Sequence, residues 1–420
     1  MSVGRILRWT AVIGLVVATV VLYRPHYSVN SNLNLSGYEM FAVAESLVQH
    51  HSFSDPFDPM PTGPTAHVGP LFPAYLAFVI TVFGRGSAAV SFLMWWATAL
   101  AALQVAILPV LAKELHLGFW TGALAGAGWL ASLIPPASFT EVTFTSFLVI
   151  AASFLMARCF AAGLSRLQWL LWAAVWAAIL LLQPAAVLVL VFCVALVHFQ
   201  SRRSARQKIA LVLLPVLLVA PWMARNLLVF HKLFFVRDNL GMEMAVSNRS
   251  CATALFDIND ADGCFASTHP NENYEEAMRV RELGEIEYNR LRMREAIEWI
   301  GANRGRFAEL SLERFEAFWF PPVSRRPGNG VILRPWVLDC FTLLSIPGLF
   351  VMWKNARVGS YVAGLWLVFF PLTYYFFQFL MRYRYPILWA TFVPGSYFVV
   401  ELVRGIVGKE PIASNISGAR

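Results

Sequence analysis

Charge is scarce in this chain. Of 420 residues only 14% are Asp, Glu, Lys or Arg, while 58% are hydrophobic, against a charged share of about 25% in an ordinary soluble domain. With a mean hydropathy of +0.59, this excludes a water-solvated globular protein and implies a chain solvated largely by lipid. Cysteine is scarce too. Five residues without a CxxC pair exclude a disulfide scaffold, a zinc ribbon and a thioredoxin-like redox motif. Lys and Arg outnumber Asp and Glu by 33 to 25, but they are scattered between apolar runs, with neither a basic stripe nor an interleaved aromatic platform. Nucleic acid is therefore excluded as a partner.

What is abundant is the long apolar run. Nearly uncharged stretches recur at about 9–23, 88–112, 118–134, 140–157, 167–182, 184–200, 209–223, 336–353, 359–378 and 386–403. Each approaches the roughly 20 residues that a helix needs to cross the hydrocarbon core, where backbone must be helical or in a closed barrel. The expectation is an all-α polytopic membrane protein with about ten transmembrane helices. In the first run Arg5 and Arg8 precede the apolar residues, but Leu22-Tyr23-Arg24-Pro25 follows instead of a small-residue cleavage site, so the run reads as a retained anchor.

Orientation follows from the short loops. With the N-terminus inside, fourteen Lys and Arg fall on cytoplasmic segments, among them Arg202, Arg203, Arg206 and Lys208, and four on short external ones: Arg24, Arg85, Arg382 and Arg384. That asymmetry supports N- and C-termini in the cytoplasm, in a cytoplasmic (inner) membrane. It also makes the run at 70–84 a juxtamembrane piece, because counting it as a span would invert every later loop. The expected units are a first anchor (1–23), a first external loop (24–87), a transmembrane bundle (88–223), a large external loop (224–335), C-terminal membrane helices (336–405) and a cytoplasmic tail (406–420).

The large external loop has helical periodicity. Ile286, Met293, Ile297 and Ile300 fall on one face, as do Phe307, Leu310, Arg314, Phe315 and Phe318. Cys251 and Cys264 lie in this loop on the oxidising side, and their spacing leaves both a disulfide and two separate thiols open.

Four groups of ionisable residues fall at the external face. Glu39 and Glu45 lie on a segment whose Met40, Val43, Ala44 and Leu47 form an apolar stripe. Glu141 follows Pro135, Pro136 and Thr140 at the mouth of a span. Arg225 and Asn226 follow Pro221-Trp222, and Arg382 and Arg384 alternate with Tyr383 and Tyr385. Each has a bland explanation: a helix dipole favours a carboxylate at its N-terminus, an arginine beside a membrane snorkels to headgroups, and His67 suits a surface loop. Convergence of acids and arginines from four places favours chemistry in which a hydroxyl loses a proton while a phosphate leaves.

The ordered set Gly37-Tyr38-Glu39-Met40, Ala44-Glu45-Ser46-Leu47, Phe53-Ser54-Asp55-Pro56-Phe57, Thr62 to His67 and Pro70-Leu71-Phe72-Pro73 resembles the first external loop of GT-C superfamily glycosyltransferases, family 39 or aminoarabinose-transferase-like. Pro221 to Asn226, Arg237 to Glu243 with Asn248, Gly284-Glu285 with Tyr288, and Arg314 to Trp319 are similar to the same family in the same order. The resemblance implies a polyprenyl-phosphate-sugar-dependent transferase of the cell envelope, with a lipid-linked sugar donor and a lipid or glycan acceptor. Relatives commonly carry Asp about eight residues before the position of Ala44; here Ser36 and Gly37 stand there, and Glu39 follows one turn on, near the same face.

On this reading Glu39 is the general base, and Glu141 binds acceptor or a divalent metal. Tyr38, His67, Arg225, Asn226, Asn239, Glu243, Arg382 and Arg384 bind substrate, with the arginines on the donor phosphate. Two other classes compete: a transporter or flippase of lipid-linked precursors, which would bury ionisable sites near the bilayer midplane, and a catalytically inactive relative.

Overall fold

The computed structural model describes residues 3–25, 38–161, 163–200, 204–322 and 336–407. Ser36 and Gly37, Arg202 and Arg203, and the tail from 408 lie outside the described residues. The described chain is helical: α1 Val3–Tyr23, α2 Glu39–His50, α3 Leu71–Phe83, α4 Ser87–Glu114, α5 Phe119–Ala131, α6 Val142–Ala161, α7 Arg166–Leu182, α8 Val187–Gln200, α9 Ala205–Phe230, α10 Leu240–Ser247, α11 Phe256–Ala261, α12 Tyr274–Leu283, α13 Glu285–Ala302, α14 Arg304–Trp319, α15 Trp336–Asn355, α16 Arg357–Phe369 and α17 Leu388–Val407.

Among the described residues seven helical stretches are long and apolar enough to cross a membrane: Val3–Tyr23, Ser87–Glu114, Val142–Ala161, Ala205–Phe230, Trp336–Asn355, Arg357–Phe376 and Met381–Ile406. The apolar runs at 118–134, 167–182 and 184–200 form shorter helices. The 13 residues of α5 reach only about 20 Å at 1.5 Å per residue, short of a roughly 30 Å core. Gly118, with a φ of 84°, and the turn at Leu133 bound that helix, so the apolar run is longer than the helix it forms.

Helices in lipid gain little from apolar burial against one another, so close packing at small residues decides which helices meet. A Cβ at Gly122 would lie 2.3 Å from Leu108 O, which seats α5 on α4, and one at Gly348 would lie 2.1 Å from Pro394 O, which seats α15 on α17. Aromatics fill the centre: Trp176 and Trp366 stack at 5.7 Å between centroids, and Trp129, Trp172, Trp389 and Phe392 are buried around them. The flanks of α1 and α9 stay bare, as lipid-facing helices must.

The elements α10 to α14 form the second layer. Within it Cys251 and Cys264 are bonded. The helix α13 buries Glu285, Tyr288, Asn289, Arg292 and Ala296, while Ile297 is exposed. Ile286, Met293 and Ile300 are half-buried beside this face, which docks through Tyr288 and Ala296 as well as through hydrogen bonds. On α14 Leu310, Arg314 and Phe318 are buried and Phe315 is exposed.

Arginines bolt this layer to the membrane helices. Arg314 donates from Nη1 to Asn248 Oδ1 and Phe376 O, each at 3.0 Å, and from Nη2 to Ser247 O. Arg384 donates to Phe318 O at 3.0 Å, to Trp319 O and to Thr342 Oγ1. Arg314→Ala strands two buried acceptors, Asn248 Oδ1 and Ser247 O, since Phe376 O keeps the Asn248 Nδ2 donor, and is expected to cost about 3 kcal/mol. Arg290→Ala removes a solvent-exposed pair with Glu287, expected at about 0.5 kcal/mol. Thermal unfolding of the two variants in detergent checks the difference.

Candidate active site

The site is built around the start of α2. Tyr38 is extended, with φ −113° and ψ 106°, and Glu39 is the first helical residue, where the positive end of the helix favours a carboxylate. The Tyr38 hydroxyl donates to Glu141 Oε2 at 3.2 Å, joining the first external segment to the mouth of α6. Glu39 Oε1 lies 3.6 Å from His269 Nε2. His67 and His269 are both buried, with ring centroids 6.4 Å apart, and Phe57 presents an edge to each. Phe265 stacks on the far face of His269.

The helix α10 adds a further carboxylate. Asn239 Nδ2 donates to Glu243 Oε1 at 3.3 Å. Two guanidiniums serve these acids: Arg237, whose Nε donates to His67 O at 3.1 Å, and Arg382, which also lies over the Tyr383 ring. Burial pushes the Glu39 carboxyl up to about 7, against the opposing pull of its own backbone N–H and of Arg382, while Glu243 pushes it further up. Burial likewise raises Glu243, and Arg237 and Arg382 oppose it. Burial lowers both imidazoles: His67 well below its usual range, helped by His269 and Arg237, and His269 down to about 3, helped by Arg292. Both are neutral at pH 7. Burial, then the Glu141 charge, holds the Tyr38 phenol far above its usual value.

The structure thus brings together Tyr38, Glu39, His67, Glu141, Asn239, Glu243 and Arg382 from the sequence-expected set. It separates the others. Arg225 spends its guanidinium on Thr65 O at 2.8 Å and Phe53 O at 3.0 Å, sandwiched among Trp222, Phe53 and Phe230. Asn226 is buried beside it and donates to Val236 O. Arg384 is fully buried on the carbonyls described above. Arg225, Asn226 and Arg384, expected to bind substrate, each satisfy local backbone instead, and one residue of the Arg382/Arg384 alternation faces inward while the other faces the acids. Glu45 pairs with Arg85 on the outside of α2.

Two members escaped the sequence. His269 sits in a turn of no distinctive motif, Thr268-His269-Pro270, and Arg237 reads as one loop arginine among several; only the fold places them beside Glu39.

Among the described residues Glu39, His67 and His269 offer ligand atoms all within 4.8 Å of one another. One carboxylate and two imidazoles make a zinc-type donor set. His67 Nδ1 is buried without a hydrogen-bond partner, an atom that a cation would satisfy. His269 Nδ1 accepts the Asn271 N–H at 3.2 Å, which leaves its proton on Nε2 facing Glu39, so a cation there must displace a proton. The residues fit a divalent cation.

No protein-family model matches the chain, and no curated protein sequence does. Solved structures share its fold. The archaeal oligosaccharyltransferase AglB from Archaeoglobus fulgidus, in complex with an inhibitory peptide and a dolichol-phosphate, covers 99% of this chain and 53% of its own at a TM-score of 0.53 and 12% identity. The A. fulgidus oligosaccharyltransferase complex with Zn and sulfate covers 94% of this chain and 49% of its own, at 0.52 and 11%. ArnT from Cupriavidus metallidurans bound to undecaprenyl phosphate covers 96% and 79%, at a TM-score of 0.42 and 12% identity. The chain is therefore a multi-pass membrane protein whose fold is shared with the archaeal oligosaccharyltransferase structures. It spans about half the length of those oligosaccharyltransferase chains.

Two outcomes are expected of this geometry. Because Glu39 ionises less readily folded than unfolded, its contribution to stability is full below the unfolded value near 4.3 and is lost as pH rises through about 7. Glu39→Gln removes that loss, so its melting temperature relative to wild type is higher at pH 8 than at pH 5. Titration with Co(II) at pH 7.5, followed by its visible absorption, should give one site per chain, weakened at least about tenfold in His67→Ala and in His269→Ala.

Proposed function

We propose that the chain is a membrane glycosyltransferase that takes its sugar from a polyprenyl-phosphate donor and passes it, with inversion, to a lipid or glycan acceptor at the external face of the cytoplasmic membrane. The observation that carries this reading is the grouping of Glu39, Glu141 and Glu243 with Arg237 and Arg382 in a GT-C-like fold.

Glu39 takes the proton of the acceptor hydroxyl. Burial raises its basicity toward neutral pH, which suits a general base. Glu141, held by the Tyr38 hydroxyl, orients the acceptor. Arg382 and Arg237 face the departing lipid phosphate, whose oxygens a forked guanidinium matches. The dolichol-phosphate in the archaeal structure supports a lipid-phosphate donor here. No nucleotide-binding loop is required, since the donor arrives on a lipid.

A divalent cation, when bound, would supply charge stabilisation for the leaving phosphate or the attacking oxygen. Glu39, His67 and His269 would hold it. The zinc in the second archaeal complex supports testing zinc first. Neutral imidazoles are ready to ligate, because burial has already removed their protons from contention.

Glu39→Gln is expected to lower transfer by about 10²–10⁴-fold with insertion and donor binding intact. Mass spectrometry of lipid-linked sugars and envelope glycans in wild-type, deletion and Glu39→Gln strains measures this and identifies the sugar. Wild-type transfer by the variant would sink the assignment.

A further inference from the structure

The buried face of α13 carries a polar row, and two of its members, Glu285 and Asn289, act on elements that bear a site residue. Glu285 accepts from Thr65 Oγ1 through Oε2 at 2.5 Å and from the Ala66 N–H through Oε1 at 2.6 Å. Thr65 Oγ1 in turn accepts the His67 N–H at 2.9 Å. Two hydrogen bonds therefore lead from the Glu285 carboxyl to the backbone of His67. Asn289 Oδ1 accepts the Met242 N–H at 3.0 Å, in the helix that carries Glu243. A Cβ at Gly241 would lie 1.9 Å from Asn289 O, so α10 rests directly on this row.

The segment from Thr65 to Val68 is buried but belongs to no helix. Its peptide groups must be met one by one. The carbonyls of Thr65, Ala66 and His67 are served by Arg225 Nη1, by the Asp238 N–H and by Arg237 Nε. Among the donors, the Thr65 N–H reaches Phe53 O, and those of Ala66 and His67 depend on Glu285, directly or through the Thr65 hydroxyl. A carboxylate offers two parallel acceptors to a hydroxyl and an N–H on adjacent residues. An apolar side chain here would strand both. His269 is held differently, by the Asn271 N–H and by Phe265.

We propose that Glu285 is a positioning residue that orients His67 through Thr65, and that it acts on His67 and not on His269. Its importance for transfer rests on the function proposed above; its action on His67 does not, and is tested without donor, acceptor or metal.

Both imidazoles are buried and neutral, so diethyl pyrocarbonate reacts with each only as its surroundings open. Peptide mass spectrometry on the full chain in detergent reads the two rates separately. In Glu285→Ala, His67 modification is expected to rise about tenfold with His269 unchanged, and Glu285→Gln, which keeps an acceptor for the Ala66 N–H and a donor for Thr65 Oγ1, is expected to stay near wild type. Ile297→Ala, on the exposed face of the same helix, is the control. Should Glu285→Ala fail to fold, Thr65→Val removes the relay hydroxyl at constant shape, with the same expectation. An equal rise at both histidines, or a protected His67 in a folded variant, overturns the proposal.

Discussion

A buried peptide group outside helix or sheet must find a partner, and where the layer of α10 to α14 meets the membrane helices that demand shapes nearly everything. The chain leaves and re-enters the membrane layer through irregular segments around Phe53–His67, Ser247–Asn248, Phe318–Trp319 and Phe376. Each has carbonyls facing inward. Arg225, Arg314 and Arg384 answer them, each guanidinium collecting two carbonyls, in the case of Arg314 from residues as distant in sequence as Ser247 and Phe376. A forked, permanently charged donor is suited to this work, since one side chain can serve several acceptors at fixed geometry.

The site depends on that bracing. Glu39 and Glu243 come from separate elements and lie close enough for their charges to interact, and Glu141 joins them through the Tyr38 hydroxyl. Such a grouping is costly unless cations and hydrogen bonds are held in place around it. Arg237 and Arg382 supply the charge, Tyr38 and Asn239 the hydrogen bonds. What remains is a raised Glu39 and two uncharged imidazoles, groups poised to accept a proton or a cation. The same burial that prepares them for chemistry makes the region less stable as pH rises, a common compromise at functional sites.

Hydropathy made the membrane helices legible, since twenty apolar residues can do little else, and it located Glu39, Glu141 and Arg382 at one face by parity of spans alone. One kind of residue misled. Arg225 and Arg384 looked like phosphate ligands because an arginine at a membrane edge has the same sequence signature whether it binds a ligand or a carbonyl. The helix α13 was legible from its apolar periodicity, but the polar contacts of Glu285 and Asn289 on its buried face were not. His269 left no local trace at all.

The sequence by itself determined the solvent and the helical class, because these follow from local composition and from the cost of placing charge or bare backbone in hydrocarbon. Only the tertiary structure decided which arginines are spent on backbone and which remain facing the acids, that Cys251 meets Cys264, and that a histidine 230 positions after Glu39 closes its site. Those outcomes turn on distances of a few ångströms between residues far apart in the chain, and the energy of a hydrogen bond or an ion pair depends on that distance and not on spacing along the sequence.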